Sequence, residues 1–218
     1  MKNVTFSFDD GVFQDKKIVE IFDEYGIKGT FNLNSGMMTP ESSWDFKGKR
    51  ARRIDISEVP EVYKSHEPAV HFLTHPFPTK LSDEELDFEI SEDKKNLERI
   101  FEREIVGSAY PYGEFDERTK AALKKHGIKY ARTVAETFDF KLPSDPFELN
   151  PTCHYNNAKL FELAKAFVED ETNEPTLFYV WGHGYELDGY DNWDVLKRLC
   201  KYLSKQNNIF FGTNSEVF

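Results

Sequence analysis

VTFSFDDGVFQDKKIVEIFDEYGIKGTFNLN (residues 4–34) decides how the rest of the chain is read. VTFSF (4–8) alternates apolar and polar side chains and is rich in aromatic and β-branched residues, the signature of a strand. From Asp15 to Tyr25, Ile18, Val19, Ile21 and Phe22 fall on one helical face, and Gly26 closes the helix as a left-handed terminator. KGTFNLN (28–34) reads as a second strand. Strand, helix and strand with short joins make a parallel pair linked by a right-handed crossover.

The same rhythm recurs down the chain. AVHFLTH (69–75), EIVGSAY (104–110), IKYARTV (128–134), TLFYVWG (176–182) and NIFFGT (208–213) read as further strands. Helices are expected from Ser57 to Ser65, from a Ser82/Glu85 capping box to about Glu102, and over 115–126, 157–169 and 193–204. Two stretches break the rhythm. Residues 35–56 read as a surface insertion or hairpin carrying Lys47, Lys49, Arg50, Arg52 and Arg53. That cluster is either a solvated loop or a contact for an anionic substrate or partner. Residues 135–156, with Pro143, Pro146 and Pro151, read as loop. Seven parallel strands in a chain of this length predict one α/β domain over 1–218, a closed or nearly closed barrel, with an open doubly wound sheet as the alternative.

The 28 basic and 39 acidic residues give a net charge of −11, which argues against nucleic acid or an anionic membrane as partner. Cys153 and Cys200 lie far apart and form no CxxC, so reduced thiols are expected. The opening residues carry no apolar signal core, and no apolar run is long enough to span a bilayer; a cytoplasmic protein is the expectation.

Ligands of parallel α/β folds bind at the carboxyl ends of the strands, and four strand ends carry unusual residues: Phe8-Asp9-Asp10-Gly11, His71 to Pro76, Ala109 to Gly113, and Trp181-Gly182-His183-Gly184. Two adjacent aspartates call for a cation, unless one caps the next helix. His71 and His75 are either structural or ligands. One Asp and two His together make a three-ligand site with open positions, the usual form of a catalytic divalent centre. His183, between two glycines, is a turn residue or a general acid.

TFSFDDG (5–11), HFLTH (71–75), YPYG (110–113) and WGH (181–183) together resemble the motifs of the polysaccharide deacetylases (the NodB-homology domain, carbohydrate esterase family four). The resemblance implies a distorted (β/α)7 barrel and a metal-dependent hydrolase removing N-acetyl groups from an acetylated sugar or glycan. It implies Asp9 as catalytic base, Asp10, His71 and His75 as metal ligands, and His183 as general acid. It gives Tyr112 a backbone donor to the oxyanion and Pro111 a place in the groove wall. Trp181 stands where the family usually has a Leu lining the acetyl pocket. The cofactor implied is a divalent metal, zinc first, with Co2+, Ni2+ or Fe2+ as alternatives, and the partner a carbohydrate.

The chain also departs from that pattern. Ala109 stands where the third motif usually begins with an Arg that positions the base, and Phe72 where Ser or Thr is usual. The fourth motif has no clean copy; Asp139 is its candidate, and His154 is a further polar residue for the site. These departures leave open an O-acetyl esterase, a cyclic amide hydrolase, or a carbohydrate-binding protein with weakened catalysis. Trp44, Tyr110, Tyr155, Tyr185 and Trp193 are candidates either for stacking on sugar rings or for packing.

Overall fold

The computed structural model describes all residues, 1–218. In chain order the elements are β1 (Lys2–Asp9), α1 (Asp15–Tyr25), β2 (Thr30–Leu33), β3 (Ser43–Phe46), β4 (Lys49–Arg52), α2 (Val59–Val62), β5 (Glu67–Val70), α3 (Asp83–Phe101), β6 (Gly107–Ala109), α4 (Glu117–Lys125), β7 (Tyr130–Arg132), β8 (Cys153–His154), α5 (Leu160–Glu169), β9 (Thr176–His183), α6 (Gly184–Gly189), α7 (Trp193–Ser204), β10 (Ile209–Phe211) and α8 (Asn214–Val217). The sheet runs β7-β6-β5-β2-β1-β9-β8, with β10 beside the start of β1, and every pairing in it is parallel. It curls into the distorted barrel that the seven-strand reading predicts.

The gap between the end strands is closed by one segment. Leu149 bridges to Arg132 on β7, and four residues later Cys153 and His154 pair with Val180 and Trp181 on β9. β8 is an eighth strand inside a stretch expected to be loop. Two residues just after Pro151 are too few to show a period of two, so only the tertiary pairing reveals it.

β1 shows why the fold has two distinct interiors. Val4, Phe6 and Phe8 face the helices; Phe6 lies 5.0 Å from the Phe22 ring on α1. They join one apolar cluster reaching from Val4 to Leu203. The alternate residues, Thr5, Ser7 and Asp9, face the barrel lumen, which is polar. There Asn214 accepts from Thr5 Oγ1 (3.0 Å) and donates to the Tyr179 hydroxyl (2.7 Å), while Asn32 donates to Ser7 Oγ (2.8 Å). A parallel strand buried on both faces normally reads as continuously apolar. The alternation here marks a lumen that accepts polar groups only because they are paired.

Residues 35–56 do hold an antiparallel hairpin, β3–β4. It packs on α6 through aromatic side chains: the Trp44 and Phe46 rings each lie 5.1 Å from Tyr185. The expected capping box at Ser82/Glu85 is present, and Gly26 has the left-handed φ of 66°. No helix is long and apolar enough to cross a membrane.

Candidate active site

Strand register assembles the centre of the site. Asp9 ends β1, and its register partners are Asn32 on β2 and His183 on β9. Three polar side chains from three neighbouring strands therefore meet at the carboxyl end of the barrel. Asn32 Nδ2 donates to Asp9 Oδ1 (2.7 Å), and His183 Nε2 lies 3.9 Å from Oδ2.

Neither Asp9 nor Asp10 caps α1; the N-cap position is Gln14, whose side chain makes no capping bond, and it is Asp15 that accepts from Val12 N–H. Asp10 leaves the strand with φ 82° and Gly11 follows at 58°, a turn so close that a Cβ on Gly11 would sit 2.7 Å from Met38 Cε. Phe72, His75 and Tyr112 also have positive φ. Backbone strain of this kind persists only where surrounding structure enforces it, and it gathers here around the site.

Asp10, His71 and His75 each present one ligand atom, all within 4.8 Å of one another. His75 Nε2 is 3.5 Å and His71 Nε2 4.0 Å from Asp10 Oδ1. His71 Nδ1 donates to the Ala109 carbonyl (2.8 Å), which leaves Nε2 with its lone pair toward Asp10. Burial lowers the His71 pKa to about 4, against opposing pulls from Asp9 and Asp10, so the ring is neutral at physiological pH. Two neutral imidazoles and a carboxylate form a donor set that fits a divalent transition metal.

The surroundings hold this set rigid. Arg53 Nη1 donates to Asp10 Oδ1 (3.0 Å) and to Asn34 Oδ1 (2.8 Å). Asp93 on α3 accepts from Ser35 N (2.7 Å) and His71 N (3.1 Å), tying the ends of β2 and β5 together. Burial pushes both aspartates up, but for Asp10 the Arg53 guanidinium and the nearby imidazoles outweigh it and keep the carboxyl well below its usual range.

Arg132 was not singled out from the sequence. It is fully buried at the end of β7, donates to Asp9 Oδ2 and to the Thr133 carbonyl, and its guanidinium lies 4.7 Å over the Trp181 ring. Its register partner on β6 is Ala109. Burial raises the Asp9 pKa, but Arg132, aided by His71 and His183, wins and holds it below the ordinary value. Glu186, on the first turn of α6, is the second residue missed. Its Oε2 lies 3.3 Å from His183 Nδ1 and 3.0 Å from His154 Nε2. Burial would lower the His183 pKa; Glu186 with Asp10 and Asp9 instead raises it to about 9.

Of the other anticipated residues, Pro111 is buried, and Tyr112 is exposed, stacked on Phe77 (3.9 Å) and edge-on to His75 (4.5 Å). Trp181 stands edge-on to His154 (4.8 Å). Asp139 lies apart from this cluster on an exposed loop, where its carboxylate accepts from Lys141 N. Tyr110 and Tyr155 are buried, and Trp193 donates to Asp188, while Tyr185 stands 5.1 Å from the His183 ring with Trp44 edge-on to Tyr185. Two surface cavities, of about 490 and 450 Å³, lie among charged helix side chains, and neither is lined by Asp9, His71, His75 or His183.

A family model for polysaccharide deacetylase matches residues 1–131. Among curated proteins none matches the chain. A Streptococcus pyogenes deacetylase solved in complex with acetate is similar over 60% of this chain at 20% identity and TM-score 0.53, and the chain spans 55% of that protein's length. A family 4 acetyl xylan esterase from Clostridium thermocellum in complex with a cobalt ion matches 99% of this chain and 90% of its own, at 14% identity and TM-score 0.65. A family 4 carbohydrate esterase pseudoenzyme from Bacillus anthracis matches 98% of this chain and 64% of its own, at 15% identity and TM-score 0.60. At these identities the likeness is one of fold.

Proposed function

The chain belongs to the polysaccharide deacetylase family, and on that premise we propose that it is a hydrolase removing N-acetyl groups from an acetylated sugar or glycan. Asp10, His71 and His75 would hold a divalent metal, zinc first among the ions that suit two imidazoles and a carboxylate. A cation there polarises the acetyl carbonyl and makes a neighbouring water more acidic. Asp9 takes a proton from the attacking water. Its two oxygens are fixed, one by Asn32 and the other by Arg132, so its free lone pairs have one orientation. His183 gives a proton to the nitrogen as the C–N bond breaks, leaving acetate and a free amine. Tyr112 N–H and the Pro111 turn would border the oxyanion, and Trp181 the acetyl methyl.

The observation that carries this reading is the pairing of Asp9 and His183, an acid and a base at matched register positions beside a three-donor cluster. The test is acetate release from N-acetyl, O-acetyl and cyclic imide compounds, with metal content measured on the same sample. Asp9→Asn should lose on the order of 1000-fold in turnover while keeping its metal. Full activity in that variant, or glycan binding with no turnover under any of the four metals, overturns the proposal. The second outcome would make the chain a binding protein, as the resemblance to a pseudoenzyme fold allows. An O-acetyl esterase is the competing hydrolase. An alkoxide leaves with less help than an amine, so His183→Asn should harm N-acetyl turnover more than O-acetyl turnover.

A further inference from the structure

We propose that Glu186 is the positioning residue for the acid His183 and that His154, behind it, holds Glu186 in place. The inference rests on the proposed role of His183 and extends it to residues no motif marks. Glu186 sits three residues after His183, on the first turn of α6, and its Oε2 also accepts from the His183 backbone N–H (3.2 Å). The carboxylate is therefore fixed to the residue it serves. The His183 ring is held between two carboxylates: Nε2 faces Asp9 (3.9 Å) and Nδ1 faces Glu186 (3.3 Å). Nδ1 is buried and has no aligned hydrogen-bond partner, so Glu186 is the one charge placed to keep a proton on Nδ1 and leave Nε2 to deliver the other. Catalytic hydrogen bonds are often loose in the free enzyme and tighten with substrate.

His154 completes the chain. Asn156 N–H donates to His154 Nδ1 (3.2 Å), which occupies that lone pair and puts the ring proton on Nε2, 3.0 Å from Glu186 Oε2. Glu136 in turn accepts from His154 N (2.6 Å) and Asn157 Nδ2 (2.9 Å), pinning the segment. The same three side chains could in principle bind a cation. The Asn156 donation argues against it, because a metal on His154 Nε2 would move the ring proton to Nδ1, against another N–H.

A group that works through the acid matters only when the leaving group needs a proton. The experiment is a leaving-group series of acetyl compounds: 4-nitrophenyl acetate, an O-acetyl sugar and an N-acetyl sugar oligomer. On the most basic leaving group that the parent enzyme turns over, Glu186→Gln should lose on the order of 100-fold in kcat with KM within about threefold. On 4-nitrophenyl acetate it should stay within about threefold of the parent. His154→Gln should show the same pattern at smaller size, and Glu186→Asp should recover part of the loss. Nitrogen-15 spectra of the His183 ring, taken at a pH above its pKa where one proton remains, give a readout that needs no turnover: one tautomer, with the proton on Nδ1, in the parent, and a mixture in Glu186→Gln. An equal loss on every leaving group, or an unchanged tautomer, overturns the inference. So does a second zinc per chain that disappears in His154→Gln. If the parent hydrolyses none of the series, it is the deacetylase reading that fails, and the tautomer still decides the role of Glu186.

Discussion

Arg132 is a guanidinium with no solvent exposure pressed against a carboxylate that has almost none. Such a pair gains little net stability, but removing one partner leaves a buried charge alone. Arg132→Met should therefore destabilise the protein by about 3–5 kcal/mol in urea unfolding. It should also lower kcat on the order of 100-fold. The loss should be equal for good and poor leaving groups, because Arg132 acts on the proposed base, Asp9, rather than on the proposed acid, His183. Ala109 is its register partner, one strand away at the same height. Placing the guanidinium there, as Ala109→Arg in an Arg132→Ala background, should restore part of the activity; if the double variant is no better than the single one, the position of the charge matters and not only its presence. Asp9, Asp10, His71, His75 and His183 were legible because each sits in a short motif at a strand end. Arg132 was not, since IKYARTV reads as an ordinary strand and nothing in one sequence says that β7 stands within reach of β1. Glu186 had a faint signal, the spacing of three from His183, which a capping box also produces.

Among the elements, α3 has two separable jobs. Its start was readable: Ser82 accepts from Glu85 N, and Glu85 accepts from Ser82 N. Its reach into the site was not, because Asp93 is one acidic residue among many on a helix rich in charge. Yet Asp93 is fully buried, and burial raises its pKa to about 7 despite the Ser35 and His71 N–H donors. The two ends can be tested against each other. Ser82→Ala should cost about 1 kcal/mol and leave zinc affinity unchanged. Asp93→Ala orphans the buried Ser35 N–H, at about 1–3 kcal/mol, and should weaken zinc binding as well, since His71 N–H keeps the Leu33 carbonyl (3.0 Å) but loses its second tether, to α3. Calorimetric melting and zinc titration on both variants check this; an Asp93→Ala protein with parental zinc affinity would show that the ligands are held without α3. The hairpin was legible as an interruption, but its contact with α6 depends on Trp44 and Phe46 meeting Tyr185, which only the folded chain brings together.

For the whole molecule, buried titratable groups make stability depend on pH in opposite directions. His71 has a folded pKa of about 4, lowered by burial from 6.5. The unfolded chain binds its proton more readily, so this contribution is lost as pH falls from about 6.5 through 4. Asp15 runs the other way. It accepts from the Tyr63 hydroxyl (2.8 Å) and Val12 N–H, its other oxygen has no partner, and burial raises its pKa to about 8. The folded state keeps that proton while the unfolded chain has lost it above 3.8, so stability drains away as pH rises from about 4 to 8. Asp15→Asn keeps the acceptor and the shape but cannot ionise. The stability of the variant minus that of the parent should therefore climb across that window, with a slope approaching about 1.4 kcal/mol per pH unit, and level off above pH 8. A flat difference curve from chemical unfolding at pH 4.5, 6 and 7.5 would mean that Asp15 is ionised in the fold. Zinc supplies the matching test on the acid side, because the cation competes with protons for His71 and His75. At 100 times its dissociation constant it should add about 2.7 kcal/mol at pH 7. Little of that should remain at pH 4 in the parent, and none at either pH in Asp10→Ala, whereas an equal gain in that variant would place the ion elsewhere.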